Sequence, residues 1–398
     1  MEELGILYYV DLFPKLSESF ILNEINELEK RGHNVAVFSQ NDPEENVLHK
    51  EYGELDVPVY YADISYGDLS QVISKKVLQM AVKNPEFLSL STFSPKEVGQ
   101  TFLLGKQCAE FIERISFEID IINGHFASLS KIGAIHAATY HNIPCVVTAH
   151  AAEIFKSPNI GQIKHICNGM DHVIVPSDYN RQYLQEVIKI TNGITIVPAT
   201  TEIKKFETPD NTVENRLLTV GRLVEKKGHE YAIDAVNRLI NQGYNIEYHI
   251  VGTGDREKLL RQQVQEYGIG EYVNFLGHIS DERLQKELSE ASVFLLPCVI
   301  AEDGDRDAMP VALKEAMASR TACVSTTVSA IPELITDAYD GILVPPRDPE
   351  LLAQKLQKLL DNPEMRESLA KNGSRTVRDR FDISNSVDTL LNVFASAD

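Results

Sequence analysis

Short apolar runs and amphipathic stretches alternate along nearly all of this 398-residue chain. The first run, Ile6 to Val10, has the continuous apolar character of a strand buried on both faces. It is followed by a segment in which Phe20, Ile21, Ile25 and Leu28 recur at helical spacing. Because strands that alternate with helices of about 10 to 15 residues form βαβ units, the pattern predicts a doubly wound α/β fold with parallel sheets.

The alternation occurs in two sets, separated by the polar segment from Ala199 to Asn215. We therefore expect one Rossmann-like domain at residues 1–200 and a second at residues 201–380. A terminal helix is expected at residues 381–398, with an apolar face made by Val387, Leu390, Leu391 and Phe394. In sheets of this kind, ligands bind beyond the carboxyl ends of the strands.

The stretch from Gln40 to Gln100 is the least regular, being acidic and rich in Tyr, Ser and Pro. Helical patterning returns from Gly67 to Val82 and from Lys96 to Ile115. We interpret this stretch as an insertion that a partner or an acceptor substrate could use.

Composition narrows the function classes. A formal net charge of −20 argues against a nucleic-acid binder, which needs a basic face. No apolar run approaches the roughly 20 residues of a membrane span, and the acidic start lacks the basic flank of a signal peptide. Five scattered cysteines without a Cys-x-x-Cys pair indicate buried apolar residues and neither a disulfide framework nor a zinc site. We expect a soluble cytoplasmic protein.

A loop rich in carboxylates, beginning at Glu302, runs into Pro310 and then into an Ala/Met/Leu-rich segment. Proline suits a first helical turn, whose free N–H groups and positive dipole end favour an anion. Asp307 precedes this turn and Glu315 lies within the helix, so the two acids could reach opposite sides of a bound anion. The alternative is a solvated acidic loop followed by a surface helix.

Two further segments follow predicted strands in the second half. Gly221 begins a turn that carries Arg222 and Lys227, and two cations at a strand end suit a diphosphate. A solvated basic loop is the alternative. Gly252 begins a Gly-Thr-Gly turn that lacks the third glycine of a dinucleotide fingerprint, and we interpret it as a turn that lets a ligand approach the backbone.

Two histidines, His125 and His150, fall at predicted strand ends in the first half. Such a histidine is often structural; the surroundings of His150 favour a functional role, whereas for His125 the two readings are balanced. There is no Gly-x-Ser-x-Gly elbow, no His-Glu-x-x-His helix and no cluster of metal ligands in the sequence. These absences disfavour an enzyme built on a nucleophile or a metal.

Together, several motifs resemble those of the family 4 retaining glycosyltransferases of GT-B fold, in the branch used for exopolysaccharide and colanic-acid-type assembly. The resemblance covers nearly the whole chain and rests on 13–21, 123–127, 148–150, 220–228, 275–277, 315–318 and 331–334. It implies two Rossmann-like domains facing a cleft, with the terminal helix crossing back onto the first domain. The first domain would bind the acceptor and the second the donor.

The resemblance also implies roles for residues of the second domain. Arg222 and Lys227 would hold the donor diphosphate, and Glu315 would bind the ribose hydroxyls. Asp307 would meet the donor sugar. Three further groups of residues would bind substrate through the backbone. They are the segment before the helix (Ala308, Met309 and Pro310), the segment that contacts the base (Gly277 and His278) and the glycine turns (Gly221 and Gly252).

In the first domain, the resemblance implies that His150 contacts the sugar and that Ser17 and His125 bind substrate. The chain departs from the family pattern at Asp307, where glutamate is usual, and at Ala308, where glycine is usual. These departures leave the identity of the sugar more open than the reaction class.

The expected function is transfer of a sugar, with its anomeric configuration retained and without a metal. The donor would be a UDP-sugar first and a GDP-sugar second, and the acceptor a saccharide or a lipid-linked molecule. The resembled enzymes also suggest peripheral membrane contact through the first domain. The alternatives are a nucleotide-sugar-binding protein with a drifted catalytic loop, or a GT-B epimerase or phosphorylase.

Overall fold

The computed structural model of this chain describes residues 3–15, 18–43, 52–53, 55–63, 74–89, 91–156, 158–207 and 211–397. Contacts divide the chain into two compact units. The first unit comprises Met1–Pro198 together with Ser386–Asp398, and the second comprises Ala199–Asn385.

The first unit contains a seven-stranded sheet in which every recorded strand pair is parallel. Its strands are β1 Gly5–Leu12, β2 Asn34–Asn41, β3 Val59–Tyr61, β4 Ile121–His125, β5 Cys145–Thr148, β6 His172–Val175 and β7 Ile194–Ile196. Their spatial order is β3-β2-β1-β4-β5-β6-β7. The order reverses direction between β1 and β4, which is the arrangement of a doubly wound fold.

The second unit contains a six-stranded parallel sheet with the same kind of reversal, here between β8 and β11. Its strands are β8 Arg216–Val220, β9 Glu247–Val251, β10 Val273–Gly277, β11 Val293–Leu296, β12 Ala322–Thr326 and β13 Ile342–Val344. Their spatial order is β10-β9-β8-β11-β12-β13. The predicted α/β class is confirmed, because both sheets are parallel and alternate with helices.

Helices follow most strands in both units. In the first half they are α1 Ser19–Lys30, α2 Lys75–Lys83, α3 Pro95–Ile112, α4 Lys131–His141, α5 Ala152–Phe155, α6 Ile160–Asn168 and α7 Asp178–Tyr183. In the second half they are α8 His229–Asn241, α9 Glu257–Tyr267, α10 Asp281–Glu290, α11 Val311–Ala318, α12 Ile331–Leu334, α13 Pro349–Leu360, α14 Pro363–Arg380 and α15 Ile383–Ser396.

Close packing of α3 against α4 depends on two glycines. A Cβ added to Gly105 of α3 would lie 2.6 Å from the Cβ of His136 on α4, and one added to Gly133 of α4 would lie 2.9 Å from the Cβ of Leu104 on α3. Both separations are shorter than side-chain atoms tolerate, so only glycine lets the two helices approach. The pair then covers one face of the first sheet, in which β1 is buried from Gly5 to Val10.

The irregular stretch from Gln40 to Gln100 contributes to the sheet, which the sequence interpretation missed. Val59–Tyr61 pairs with β2 and forms the edge of the first sheet. Of the two helices expected there, the first is described from Lys75 to Lys83, and the second spans Pro95–Ile112. The earlier part of the first helix expectation, at 67–73, lies outside the described residues.

The last helix, α15, buries Val387, Leu390, Leu391 and Phe394, the four residues of its expected apolar face. Its residues from Ser386 onward belong to the first unit. There, Arg31, which directly follows α1, pairs with Asp388, with 2.5 Å between the guanidinium Nη1 and the carboxylate Oδ1. Across the described residues, none of the helices combines the length and apolar character needed to cross a bilayer.

Gly228 should be indispensable to the second unit. Its φ is +67°, and a Cβ there would lie 1.9 Å from the carbonyl oxygen of Pro297. We expect Gly228→Ala to lower the free energy of unfolding by about 2–4 kcal/mol, from left-handed strain and a backbone clash together. Urea unfolding followed by circular dichroism measures the effect. Gly270→Ala is the matched control, because nothing lies within 4 Å of a Cβ at Gly270. Equal losses of unfolding free energy in the two variants would show that the turn at Gly228 does not require glycine.

Candidate active site

Polar side chains gather beyond the carboxyl ends of β8 and β11, where the strand order of the second sheet reverses. The turn after β8 carries Lys226 and Lys227, and the loop between β11 and α11 carries Asp305 and Asp307. Lys226 Nζ lies 2.9 Å from Asp305 Oδ1 and 3.3 Å from Asp307 Oδ1. Lys227 Nζ lies 2.7 Å from Asp307 Oδ2. The two positive charges of the lysines and the two negative charges of the aspartates therefore sum to zero.

Burial makes these pairings strong. Burial alone would raise the pKa of Asp307, but the charges of Lys227 and Lys226 outweigh it and hold that pKa well below its ordinary value. Burial likewise tends to lower the pKa of Lys227, and the charge of Asp307 more than offsets this, so the net shift is upward. Burial and then the charge of Asp307 raise the pKa of Cys298 to about 12. Cys298 thus remains a thiol, with its Sγ 3.8 Å from Asp307 Oδ2.

Three of the predicted glycines meet at the ends of neighbouring strands. The amide of Gly252 donates to the carbonyl of Gly277 at 2.8 Å. A Cβ on Gly252, whose φ is +132°, would lie 2.0 Å from the carbonyl oxygen of Gly221. The close approach at Gly252 is therefore between two turns of the protein itself. His278 and Arg222 are exposed beside these turns, and Arg222 forms no ion pair with any described residue.

The helix expected after the acidic loop begins one residue later than predicted. α11 starts at Val311, and Pro310 precedes it with a ψ of 129°, so Pro310 is the capping residue and does not lie in the first turn. Ala308 and Met309 are buried just before it. The carbonyl of Ala308 accepts from the amide of Ala330 at 3.1 Å, which fixes the approach of the loop to the helix.

Glu315 lies half-buried in α11, next to the fully buried Lys314. The ammonium of Lys314 donates to the carbonyl of Ala199 and lies 5.1 Å from the centroid of the Phe381 ring. Burial lowers the pKa of Lys314 to about 7, against the opposing charge of Glu315. Lys314 thus ties α11 to the first and last segments of the second unit.

In the first unit, the two predicted histidines contact each other. His125 ends β4 and His150 lies two residues beyond β5, with 3.1 Å between His125 Nδ1 and His150 Nε2. Phe20 and Phe126 pack on the ring of His150, with ring centroids 4.8 and 4.5 Å away. Burial, reinforced by the repulsion that a proton on His150 would meet from His125 and Lys131, holds the pKa of His150 well below its ordinary value, so its imidazole is neutral.

A buried carboxylate holds the segments that carry these histidines. Glu153 Oε1 accepts from the amide of His150 at 2.6 Å and from the amide of Ala127 at 3.0 Å. Burial nevertheless leaves the pKa of Glu153 above its ordinary value. Phe126 adopts a left-handed φ of +65°, which is strained for a bulky residue and recurs at functional sites.

A second ionic cluster lies at the reversal between β1 and β4. Lys131, which is fully buried, donates to Asp11 Oδ1 at 2.6 Å and to Ser130 Oγ at 2.8 Å. Ser128 also donates to Asp11, with its Oγ 2.9 Å from Oδ2. Burial tends to raise the pKa of Asp11, but the charge of Lys131 prevails and lowers it.

The structure thus gathers most predicted site residues at the carboxyl edges of the two sheets. Ser17 lies outside the described residues. Sequence reasoning missed Lys226, although the neighbouring Lys227 was predicted. It also missed Lys131, to which no motif pointed. Within the described ranges, His, Cys, Asp and Glu side chains form no group of three or more that could hold a metal ion.

Two family models match the chain, and together they span residues 17–376. The model described as Glycosyltransferase Family 4 matches residues 17–202, and the model described as Glycosyl transferases group 1 matches residues 200–376. The chain belongs to the family 4 glycosyltransferases. The resemblance seen in the sequence is therefore confirmed, and the protein is an enzyme of the glycosyltransferase class.

Relatives of this glycosyltransferase extend over most of its length. The amylovoran biosynthesis glycosyltransferase AmsK of Erwinia amylovora is 27% identical over 382 residues, covering 89% of this chain and 90% of AmsK. The WcaL protein of Salmonella typhimurium, named as a candidate colanic acid biosynthesis glycosyltransferase, is 26% identical over 373 residues, covering 89% and 90%.

Solved structures confirm the GT-B fold of the glycosyltransferase. HepE of Anabaena in complex with UDP superposes with a TM-score of 0.75 at 17% identity, covering 99% of this chain and 100% of HepE. A glycosyltransferase from Rickettsia africae gives a TM-score of 0.75 at 16% identity, covering 100% of this chain and 99% of the other.

Removing the carboxylate of Asp307 should destabilise the glycosyltransferase, because Lys227 would keep its charge without a partner. We expect Asp307→Asn to cost about 3 kcal/mol of unfolding free energy at pH 7. The lowered pKa of Asp307 means that its contribution is complete above the ordinary carboxyl pKa and is lost as the pH falls below it. The deficit of the variant should therefore stay constant from about pH 8 to pH 5 and shrink only in more acidic solution.

Asp234→Asn is the matched control, since Asp234 pairs with Arg238 on the surface of α8 and should contribute only about 0.3–0.5 kcal/mol. Urea titrations of the three proteins at several pH values measure the difference. A deficit for Asp307→Asn no larger than that of the control would show that the buried cluster contributes little.

Proposed function

We propose that this glycosyltransferase moves a sugar from a nucleotide-diphosphate donor to a saccharide or lipid-linked acceptor in exopolysaccharide biosynthesis. A UDP-sugar is the foremost donor and a GDP-sugar the second. AmsK, named for amylovoran biosynthesis, supports the pathway class. HepE, solved with UDP and with UDP-glucose, supports the donor class.

The observation that carries the proposal is the cationic turn after β8 beside the start of α11. Lys227 has three ammonium hydrogens, and the contact with Asp307 uses one of them, so two remain for phosphate oxygens. Arg222 is exposed and can bind a phosphate through two parallel N–H groups. The free amides and positive dipole end of α11 complete the diphosphate site.

The rest of the donor would lie along the same edge. Glu315 accepts hydrogen bonds from the ribose hydroxyls, and the turn at Gly277 and His278 contacts the base. Asp307 and the backbone at Ala308 and Met309 position the sugar. The remaining lone pairs of Asp307 suit this role, since a carboxylate can accept about four hydrogen bonds.

The acceptor would be bound by the first unit, whose carboxyl edge carries His125 and His150. The acceptor oxygen attacks the anomeric carbon from the face of the leaving group, and the bond from that carbon to the diphosphate oxygen breaks. The departing phosphate oxygen takes the proton of the acceptor hydroxyl, so the configuration is retained without a covalent enzyme intermediate. Arg222 and Lys227 stabilise the charge that develops on the diphosphate, and no metal takes part.

Donor binding and turnover test the function. In thermal-shift titrations against UDP-, GDP- and ADP-sugars, we expect UDP-sugars to raise the melting temperature most, because selective binding stabilises the folded state by mass action.

Arg222→Ala should weaken donor binding by about 2–5 kcal/mol in calorimetry, the cost of losing one partner of a desolvated charge pair. Because Arg222 forms no ion pair with the described residues, the unliganded variant should keep its melting temperature.

Arg238→Ala is the matched control, since Arg238 is also exposed but lies on α8, away from the turn. If Arg222→Ala and Arg238→Ala bind the donor equally well, Arg222 does not contribute to the donor site. Selective donor binding with neither transfer nor donor hydrolysis would indicate a binding protein. Loss of turnover in EDTA with recovery in magnesium would contradict the metal-free step, and an inverted product by NMR would contradict retention.

We also propose that the first unit contacts an anionic membrane surface through α2. Val77 and Met80 are buried and fix the helix, whereas Leu78 is 66% exposed and Val82 is 73% exposed. Lys75 and Lys83 are exposed on the same helix. Apolar side chains flanked by cations fit the interfacial region of anionic lipid.

Sedimentation with vesicles of phosphatidylethanolamine and phosphatidylglycerol tests this contact. We expect Leu78→Glu combined with Val82→Glu to weaken vesicle binding by about 10-fold or more, because two apolar side chains no longer enter the interface. Leu259→Glu is the control, since Leu259 is 49% exposed but lies on α9. If the wild-type protein does not sediment with the vesicles, the membrane contact is ruled out.

A further inference from the structure

Glu24, on α1, lies at the end of a chain of contacts that reaches His150. Its Oε1 accepts from the hydroxyl of Tyr8 at 2.5 Å and from the amide nitrogen of Asn123 at 3.3 Å. The same oxygen lies 3.4 Å from His125 Nε2. The Glu24 side chain is 13% exposed, so its carboxylate is largely shielded from water.

His125 connects this carboxylate to the second histidine. It is 1% exposed, and its other ring nitrogen, Nδ1, lies 3.1 Å from His150 Nε2. The ring of Tyr8 stacks on His125 with 5.5 Å between centroids and 15° between planes, which fixes the ring orientation. Glu24 thus lies in polar contact with His125, which is hydrogen-bonded to His150, so in the neutral rings the hydrogen positions depend on one another. We call these three residues the relay.

The carboxylate determines which nitrogen of His125 carries hydrogen. A carboxylate only accepts, so it favours hydrogen on Nε2 of His125 and leaves Nδ1 with a lone pair. Nδ1 can then accept only from Nε2–H of His150. In the opposite arrangement, Asn123 would donate to Nε2, 3.4 Å away, and the lone pair of Nε2 would face the Glu24 carboxylate, which is unfavourable.

We propose that Glu24, acting through His125, is a positioning residue that holds His150 in the neutral tautomer with hydrogen on Nε2. Nδ1 of His150 is then the acceptor that remains for a hydroxyl of the bound substrate. This last step rests on the proposed function, whereas the tautomer itself does not. Because Nδ1 accepts and does not donate, the site selects a sugar that presents a hydroxyl there over a deoxy sugar at the same position.

The experiment compares wild type with Glu24→Gln, using protein labelled with ¹⁵N in its histidine rings. Two-bond proton–nitrogen correlation spectra distinguish the two neutral tautomers from each other, and a His150→Gln spectrum assigns the His150 signals. Glu27→Gln is the matched control, because Glu27 lies on the same helix and pairs with Arg31 outside the relay.

In the wild type and in Glu27→Gln we expect His150 to show hydrogen on Nε2. In Glu24→Gln we expect the signals of His125 and His150 to shift towards the opposite tautomer. Transfer activity should fall by about 10- to 100-fold, the usual cost of removing a group that orients a histidine, with the affinity for UDP and the melting temperature unchanged.

Hydrogen on Nδ1 of His150 in the wild type, or His150 signals unaltered in Glu24→Gln, would overturn the proposal. Absence of transfer by the wild type with every donor would count against the proposed function alone, because the spectra need no turnover. Equal transfer by Glu24→Gln and wild type, despite altered spectra, would overturn the positioning role.

Discussion

The carboxylate of Asp307 remains charged in a buried position only because two lysine ammonium groups reach it. An unpaired charge at that depth would cost several kcal/mol. The pairings therefore fix the loop before α11 against the turn after β8, and with it the place where the helix begins. The formal charges of Lys226, Lys227, Asp305 and Asp307 sum to zero. Net attraction for the proposed diphosphate would therefore have to come from Arg222, the start of α11 and the ammonium hydrogens of Lys227 that do not bind Asp307.

The first unit has the same strand reversal but uses different chemistry there. Lys131 neutralises Asp11 between β1 and β4, and near them lies His150, whose imidazole burial holds in the neutral form. A neutral imidazole offers one hydrogen-bond acceptor and one donor. It can therefore bind a hydroxyl group without the charge that would attract a phosphate. The same topology thus presents paired lysines and aspartates in one unit and a neutral imidazole in the other.

The sequence was sufficient for the fold class, because repeated apolar runs between amphipathic helices admit few other architectures. It was also sufficient to place His150 at the end of a strand and Asp307 just before a helix. The edge strand Val59–Tyr61 escaped because it is three residues long and half-buried, so it shows no continuous apolar run. The link from Glu24 to Asn123 joins residues 99 positions apart, and no local pattern encodes such a pairing. Pairing of Lys226 with Asp305 likewise depends on where two loops meet.

Residues 386–398 belong to the first unit although they follow the second unit along the chain. They bury Val387, Leu390, Leu391 and Phe394, and their Asp388 pairs with Arg31, the residue after α1. A ribosome delivers the whole second unit before it delivers this segment. The first unit therefore gains this apolar cover only after the second unit has been synthesised, and a chain cut before residue 386 would lack it. Such a chain would expose a hydrophobic surface that cellular quality control recognises, so truncated copies would be removed and would not accumulate as half-enzymes.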